Sequence, residues 1–140
     1  MLVCDTCSPK VQLGKHQMSK RSDLRAQYIE GWETVDALKL VSSVTDDFVF
    51  DDPAEPRPIT KAELADYMPI WPAKAKALGT AFEFDIVDKV VQDRQGVLLE
   101  WYWWRLMGTD VEGAAVIKTT DAGVVSERLS YYRTPWRLRV

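Results

Sequence analysis

Asp52 ends an alternating run, Phe48-Val-Phe-Asp-Asp52, in which Phe48, Phe50 and Asp52 share one face and Val49 and Asp51 the other. A carboxylate on the apolar side of a strand end is desolvated, which raises its pKa and makes it a better proton acceptor near neutrality. Pro53 follows at once and holds Asp52 extended. The same position also suits a turn carboxylate bonded to backbone N–H groups of the PAEPRP loop. Tyr28 is the second candidate. Leu24, Tyr28 and Trp32 recur at i, i+4, i+8, a helical stripe with charged residues opposite, which turns Tyr28 inward. There its hydroxyl is either a donor to a ligand or a core group bonded to a buried acceptor. Asp46, Asp47 and Asp51 read as solvated.

Composition limits the remaining chemistry. The chain has 140 residues, one histidine, two cysteines, six tryptophans, and 18 Lys+Arg against 21 Asp+Glu, for a formal net charge of −3. A lone histidine, His16, leaves no dyad or metal triad built from histidines, so acid–base work falls to carboxylates, tyrosines and arginines, and no metal or cofactor is expected. The acidic balance lacks the basic face that nucleic acid requires. No stretch approaches the roughly 18 apolar residues of a membrane span, and the N-terminus lacks the apolar core of a secretory signal. The expectation is a cytoplasmic protein with neither nucleic acid nor membrane as partner. Cys4 and Cys7 form a C-x-x-C with no fourth zinc ligand and no surrounding βαβ unit, which reads as exposed thiols on a flexible tail over 1–17. Residues 18–140 then form one domain, of a size that buries about two-thirds of its unfolded surface.

The elements that must position these groups follow from pattern. A first helix starts near Ser22 and closes at Gly31; Thr34 can cap a second, with Leu38 and Val41 on one row and Leu40 and Val44 on the next. Thr60 and Glu63 form a T-x-x-E capping box that opens a third helix, whose apolar side carries Leu64, Tyr67, Met68 and Trp71 until Pro69 and Pro72 kink or end it. After Gly79 the period changes to two. Four strands in meander order are expected: one through Phe82, Phe84 and Ile86, then Val97–Met107, Ala114–Thr120 and Val124–Arg133, with turns at Asp93–Gly96 and Asp121–Gly123. The class is α+β, with three N-terminal helices packed on one concave face of a strongly bent antiparallel sheet.

The strand Glu100-Trp-Tyr-Trp-Trp-Arg105 is aromatic on both faces, so each face needs a cover. Helices cover one. A second copy of the chain, giving a homodimer through the sheet, is the simplest cover for Trp101 and Trp103, and the tail around Trp136 is the alternative. On the pocket side, Glu100 shares a face with Tyr102 and Trp104, and Arg128 with Ser130 and Tyr132; Glu100 and Arg128 read first as a neutralising pair. An unpaired inward Arg128 would instead suit a ligand carboxylate or enolate. A one-residue slip around the Gly108–Gly113 loop reverses these faces. Trp32, Phe50, Tyr67 and Trp71 complete the set of core or pocket aromatics, and sequence does not divide those roles.

From Ser22 to Arg133 the chain resembles the cone-shaped, barrel-like fold shared by nuclear transport factor 2, ketosteroid isomerase and the SnoaL-like polyketide cyclases. The resemblance is carried by AQYIEGWETVD, by FVFDDP with its proline-rich loop and capped helix, and by the closing meander. It implies a hydrophobic cavity with Asp52 as general base and Tyr28 as hydrogen-bond donor to a developing enolate. One departure is plain: the position matching the second, protonated acid of ketosteroid isomerases is Ala115 or a small apolar neighbour. The aspartate–histidine pair of dehydratase relatives is also missing, because His16 precedes the domain. The expected function is therefore to bind an apolar, cyclic small molecule, with cofactor-independent proton transfer beside a carbonyl, as in isomerisation or cyclisation. The alternative is a non-catalytic ligand-binding or dimerisation module of the same fold.

Overall fold

The computed structural model describes residues 19–139. Cys4, Cys7, His16 and the expected tail lie outside the described residues. Helix α1 spans Lys20–Glu33 and starts at Ser19, whose side chain accepts from the Ser22 N–H. It runs through Gly31 rather than ending there. A Cβ at Gly31 would lie 2.8 Å from the Leu40 backbone, so the glycine serves close packing of α1 on the short helix α2, Ala37–Ser42. Asp36, not Thr34, caps α2 by accepting from the Lys39 N–H. Leu40 and Val44 are buried and Leu38 is exposed, so the second of the two apolar rows faces the core.

Strand β1, Val44–Asp51, leads through the proline-rich loop to a two-residue strand β2, Ile59–Thr60. Helix α3, Lys61–Tyr67, opens on the capping box as expected, and Pro69 divides the expected third helix in two: α4 runs Ile70–Ala77. Pro72 is tolerated because it lies in the first turn of α4, where N–H groups have no intrahelical acceptor. Strands β3 (Phe84–Arg94), β4 (Val97–Leu106), β5 (Glu112–Thr120) and β6 (Gly123–Arg133) form the meander. Their neighbours pair antiparallel, while β1 joins β6 in parallel, giving one open, mixed six-stranded sheet in the order β2-β1-β6-β5-β4-β3. This corrects the expectation of a purely antiparallel sheet, and the barrel-like sheet is open. A chain that re-enters beside its own first strand by way of the meander makes that contact parallel, and β2 and β3 remain as edges.

The core lies between the helices and β1, β4, β5 and β6, with Tyr28, Phe48, Leu64, Leu106 and Ile117 fully enclosed. Trp136 packs edge-on against Trp71 and Tyr131, at 5.5 and 5.9 Å between ring centroids, on the inner side. The C-terminal segment therefore covers Tyr131 rather than Trp101 and Trp103.

Candidate functional site

A cavity of about 570 Å³ opens between α1, the Phe82–Lys89 stretch and the inner faces of β4, β5 and β6. Helical spacing brings Arg25, Ile29 and Trp32 to its wall from α1, and strand alternation brings Glu100, Tyr102 and Trp104 from β4. Phe50, Trp71, Ile117 and Leu129 add apolar surface, and Glu33, Glu83, Asp88 and Lys89 bring charge to it. Trp32, Phe50, Trp71, Tyr102 and Trp104, all expected to be core or pocket aromatics, thus line one cavity.

Glu127 on β6 is the buried carboxylate of this wall that has no cation among the described residues. Its Oε1 accepts from the Tyr28 hydroxyl at 2.7 Å and its Oε2 from the Tyr102 hydroxyl at 2.9 Å. Among the described residues no ion pair reaches it. Burial pushes the Glu127 carboxyl up to about 7, against the opposing pull of the two phenols, and the carboxylates of Asp52 and Glu100 push the same way. Tyr28 and Tyr102 are driven above their ordinary values, first by burial and then by the adjacent Glu127 charge, so both stay protonated donors.

Asp52 is fully buried, but it does not line the cavity. Tyr67 donates to its Oδ2 at 2.6 Å, Tyr131 to its Oδ1 at 2.8 Å, and the Ala54 N–H to Oδ1 at 2.9 Å. The Trp71 indole N–H donates in turn to the Tyr67 hydroxyl at 2.8 Å. The backbone bond to Ala54 is the turn bond anticipated for an aspartate before proline, and the two phenols take the rest of the carboxylate. Tyr28, the expected partner of Asp52, bonds Glu127 instead, and Tyr67, expected in the pocket, serves Asp52.

Arg128 and Tyr132 are corrected in facing: both side chains are exposed on the outer face of β6. Arg128 lies 3.6 Å from Asp51, its neighbour across the parallel β1–β6 pair, and Tyr132 packs edge-on against Trp103 at 6.1 Å. The cause is a bulge. Val124 pairs with Thr119 but Ser126 with Lys118, so Val125 is an extra residue, and alternation changes phase there. Beyond it Glu127, Leu129 and Tyr131 point inward. Leu129 was the signal available in the sequence, since the inward set should contain the apolar residue of the alternation.

Glu100 faces inward as expected, with different partners. Arg25 Nε lies 3.0 Å from Oε1 and Lys89 Nζ 3.8 Å from Oε2, so Glu100 is paired across to α1 and β3 and not to Arg128. Burial raises its pKa, and the two cations oppose that. Among the described residues no three His, Cys, Asp or Glu side chains converge as a metal site.

The raised Glu127 carboxyl links stability to pH. Its folded-state value exceeds its ordinary one, so folding favours the protonated acid. The associated stabilisation is fully present below about pH 4.5 and is lost as pH rises through about 7, a change of roughly 3 kcal/mol. Glu127→Gln is expected to flatten the stability profile over this window. Urea midpoints at stepped pH check it, and equal slopes for the two proteins would contradict the burial of an unpaired acid.

No protein-family model matches the sequence, and no curated protein does. Solved structures do. An NTF2-like protein of unknown function from Cytophaga hutchinsonii superposes with a TM-score of 0.54 at 16% identity, covering 82% of this chain and 91% of that one. A protein assigned as a SnoaL-like polyketide cyclase, from Shewanella putrefaciens, gives 0.59 at 12% identity, over 94% and 90%. A steroid delta-isomerase from Pseudomonas aeruginosa gives 0.56 at 12% identity, over 84% and 82%. The chain has the fold of the NTF2-like and SnoaL-like proteins. No helix is long and apolar enough to cross a membrane among the described residues.

Proposed function

We propose that this protein encloses an apolar, ring-bearing small molecule in the cavity and exchanges a proton with it through Glu127. The observation that carries this reading is a buried carboxylate on an aromatic wall, held by two neutral phenols, and titrating near pH 7. A general base works best with a pKa near the operating pH. Asp52 is a poorer candidate, because three donors hold it against two on Glu127 and it stands outside the cavity wall. The acid absent at Ala115 has a counterpart one strand away: Ala115 pairs with Leu129, and Glu127 lies two residues along β6.

A test uses 2-tetralone in deuterated buffer, with exchange at its acidic C–H read by NMR. Wild type is expected to accelerate exchange, and Glu127→Gln to remove about a hundredfold or more of the acceleration. Asp52→Asn is expected to keep most of it in the folded fraction. Equal acceleration by Glu127→Gln would overturn the role of Glu127. One observation favours a second reading, binding without turnover: the Tyr28 and Tyr102 hydroxyls are both engaged by Glu127, which leaves neither phenol free for a developing oxyanion. Binding of 2-tetralone with no accelerated exchange in wild type would select it.

A further inference from the structure

The polar part of the cavity offers acceptors and negative charge more than donors. Among the described residues, five carboxylates and two cations lie on its wall, and both cations, Arg25 and Lys89, stand within ion-pair distance of a single carboxylate, Glu100. Among the described residues, Glu127 is left with phenols alone. A carboxylate has about four lone-pair sites, of which the two tyrosines use two. Burying such a charge is costly unless a counter-charge accompanies it. A ligand carboxylate would add a second negative charge to the same enclosure, and a neutral ligand would leave the first uncompensated. The remaining wall is apolar, aliphatic at Ile29, Ile86, Ile117 and Leu129 and otherwise aromatic, with rings such as Trp71 and Trp104, and aromatic faces attract cations. The same ring cluster already makes such a contact with a cation of the protein: Lys74 Nζ lies 4.3 Å from the Trp136 ring centre and 5.3 Å from that of Trp71.

We infer that the cavity is selective for an apolar ring compound carrying a protonated amine, with the ammonium group supplying the counter-ion that Glu127 lacks. This rests on the reading that the cavity binds small molecules, and it names their chemical class. Three probes of nearly equal shape separate the two claims: naphthalen-1-ylmethylammonium, naphthalen-1-ylmethanol and 1-naphthoate, each titrated calorimetrically at about pH 8, above the titration of Glu127.

The ammonium probe is expected to bind at least about tenfold more tightly than the alcohol, and the naphthoate more weakly than the alcohol. In Glu127→Gln, checked for folding by thermal melting, the ammonium probe should lose its advantage while the alcohol keeps its affinity. The wild-type series decides the matter alone should that variant not fold. Alcohol binding without ammonium preference overturns the amine selectivity and leaves the cavity reading standing. A preference that persists in Glu127→Gln overturns the role of Glu127 in it. Absence of binding by all three probes overturns both.

Discussion

Replacing Asp52 by alanine is expected to lower the unfolding free energy by roughly 3–5 kcal/mol, the scale for leaving several buried donors unpaired around an emptied site. The loss is large because three donors converge on this carboxylate: the Tyr67 and Tyr131 hydroxyls and the Ala54 N–H. Each donor left unsatisfied in the interior costs about 1–3 kcal/mol, and the vacated volume adds a packing term. The connection extends through Tyr67 to the Trp71 indole, so the change loosens the seat of α3 and α4 on β1 and β6. Asp52→Asn keeps an acceptor and the shape, and should cost less than half as much. Denaturant unfolding followed by circular dichroism measures both. A loss below about 1 kcal/mol for Asp52→Ala would contradict a structural role for this carboxylate.

Trp71→Ala is expected to cost about 3–5 kcal/mol, the range for truncating a fully packed aromatic. Trp71 is 2% exposed and sits at the centre of a ring cluster, with Phe82, Phe84, Trp104 and Trp136 at centroid distances of 6.4, 5.6, 6.1 and 5.5 Å. Edge-to-face arrangements such as those with Trp104 and Trp136 contribute beyond the area they bury. The substitution also deprives the Tyr67 hydroxyl of its incoming indole donor. Since Trp71 lines the cavity, the variant should in addition bind naphthalen-1-ylmethanol more weakly. Trp71→Phe, which retains a ring without the N–H, should recover most of the stability. Denaturant midpoints for the two variants, compared at unchanged slope, check the prediction; near-wild-type stability of Trp71→Ala would remove the cluster from the core.

Several parts of this architecture were legible from local chemistry. The i, i+4 spacing of Tyr28 with Trp32, the capping box at Thr60 and Glu63, and the period-two runs after Gly79 each depend on neighbours within a few residues. They yielded α1, α3 and the four-strand meander with boundaries close to those observed. The inward placement of Trp32, Phe50, Tyr102 and Trp104 followed from the same periodicity. Alternation also told that Asp52 points with the phenylalanines into the interior, where it is fully buried.

Which carboxylate meets the cavity was not legible in this way. Its position depends on a bulge at Val125, which reverses the phase of β6 without any glycine or proline to mark it, and so exchanges Arg128 and Tyr132 for Glu127, Leu129 and Tyr131. The parallel pairing of β1 with β6 places Glu127 beside Phe50 and Arg128 beside Asp51, a register that no nearby residue specifies. The donors that separate the two acids come from far along the chain, with Tyr28 reaching Glu127 across 99 positions and Tyr131 reaching Asp52 across 79. By itself the sequence determined most of the elements, the buried faces of α1, β1 and β4, and a shortage of histidine that confines acid–base chemistry to carboxylates and phenols. Only the tertiary structure decided that Asp52 is tied into the core and Glu127 faces the cavity, because hydrogen-bond satisfaction and desolvation are set by whichever groups the fold brings together.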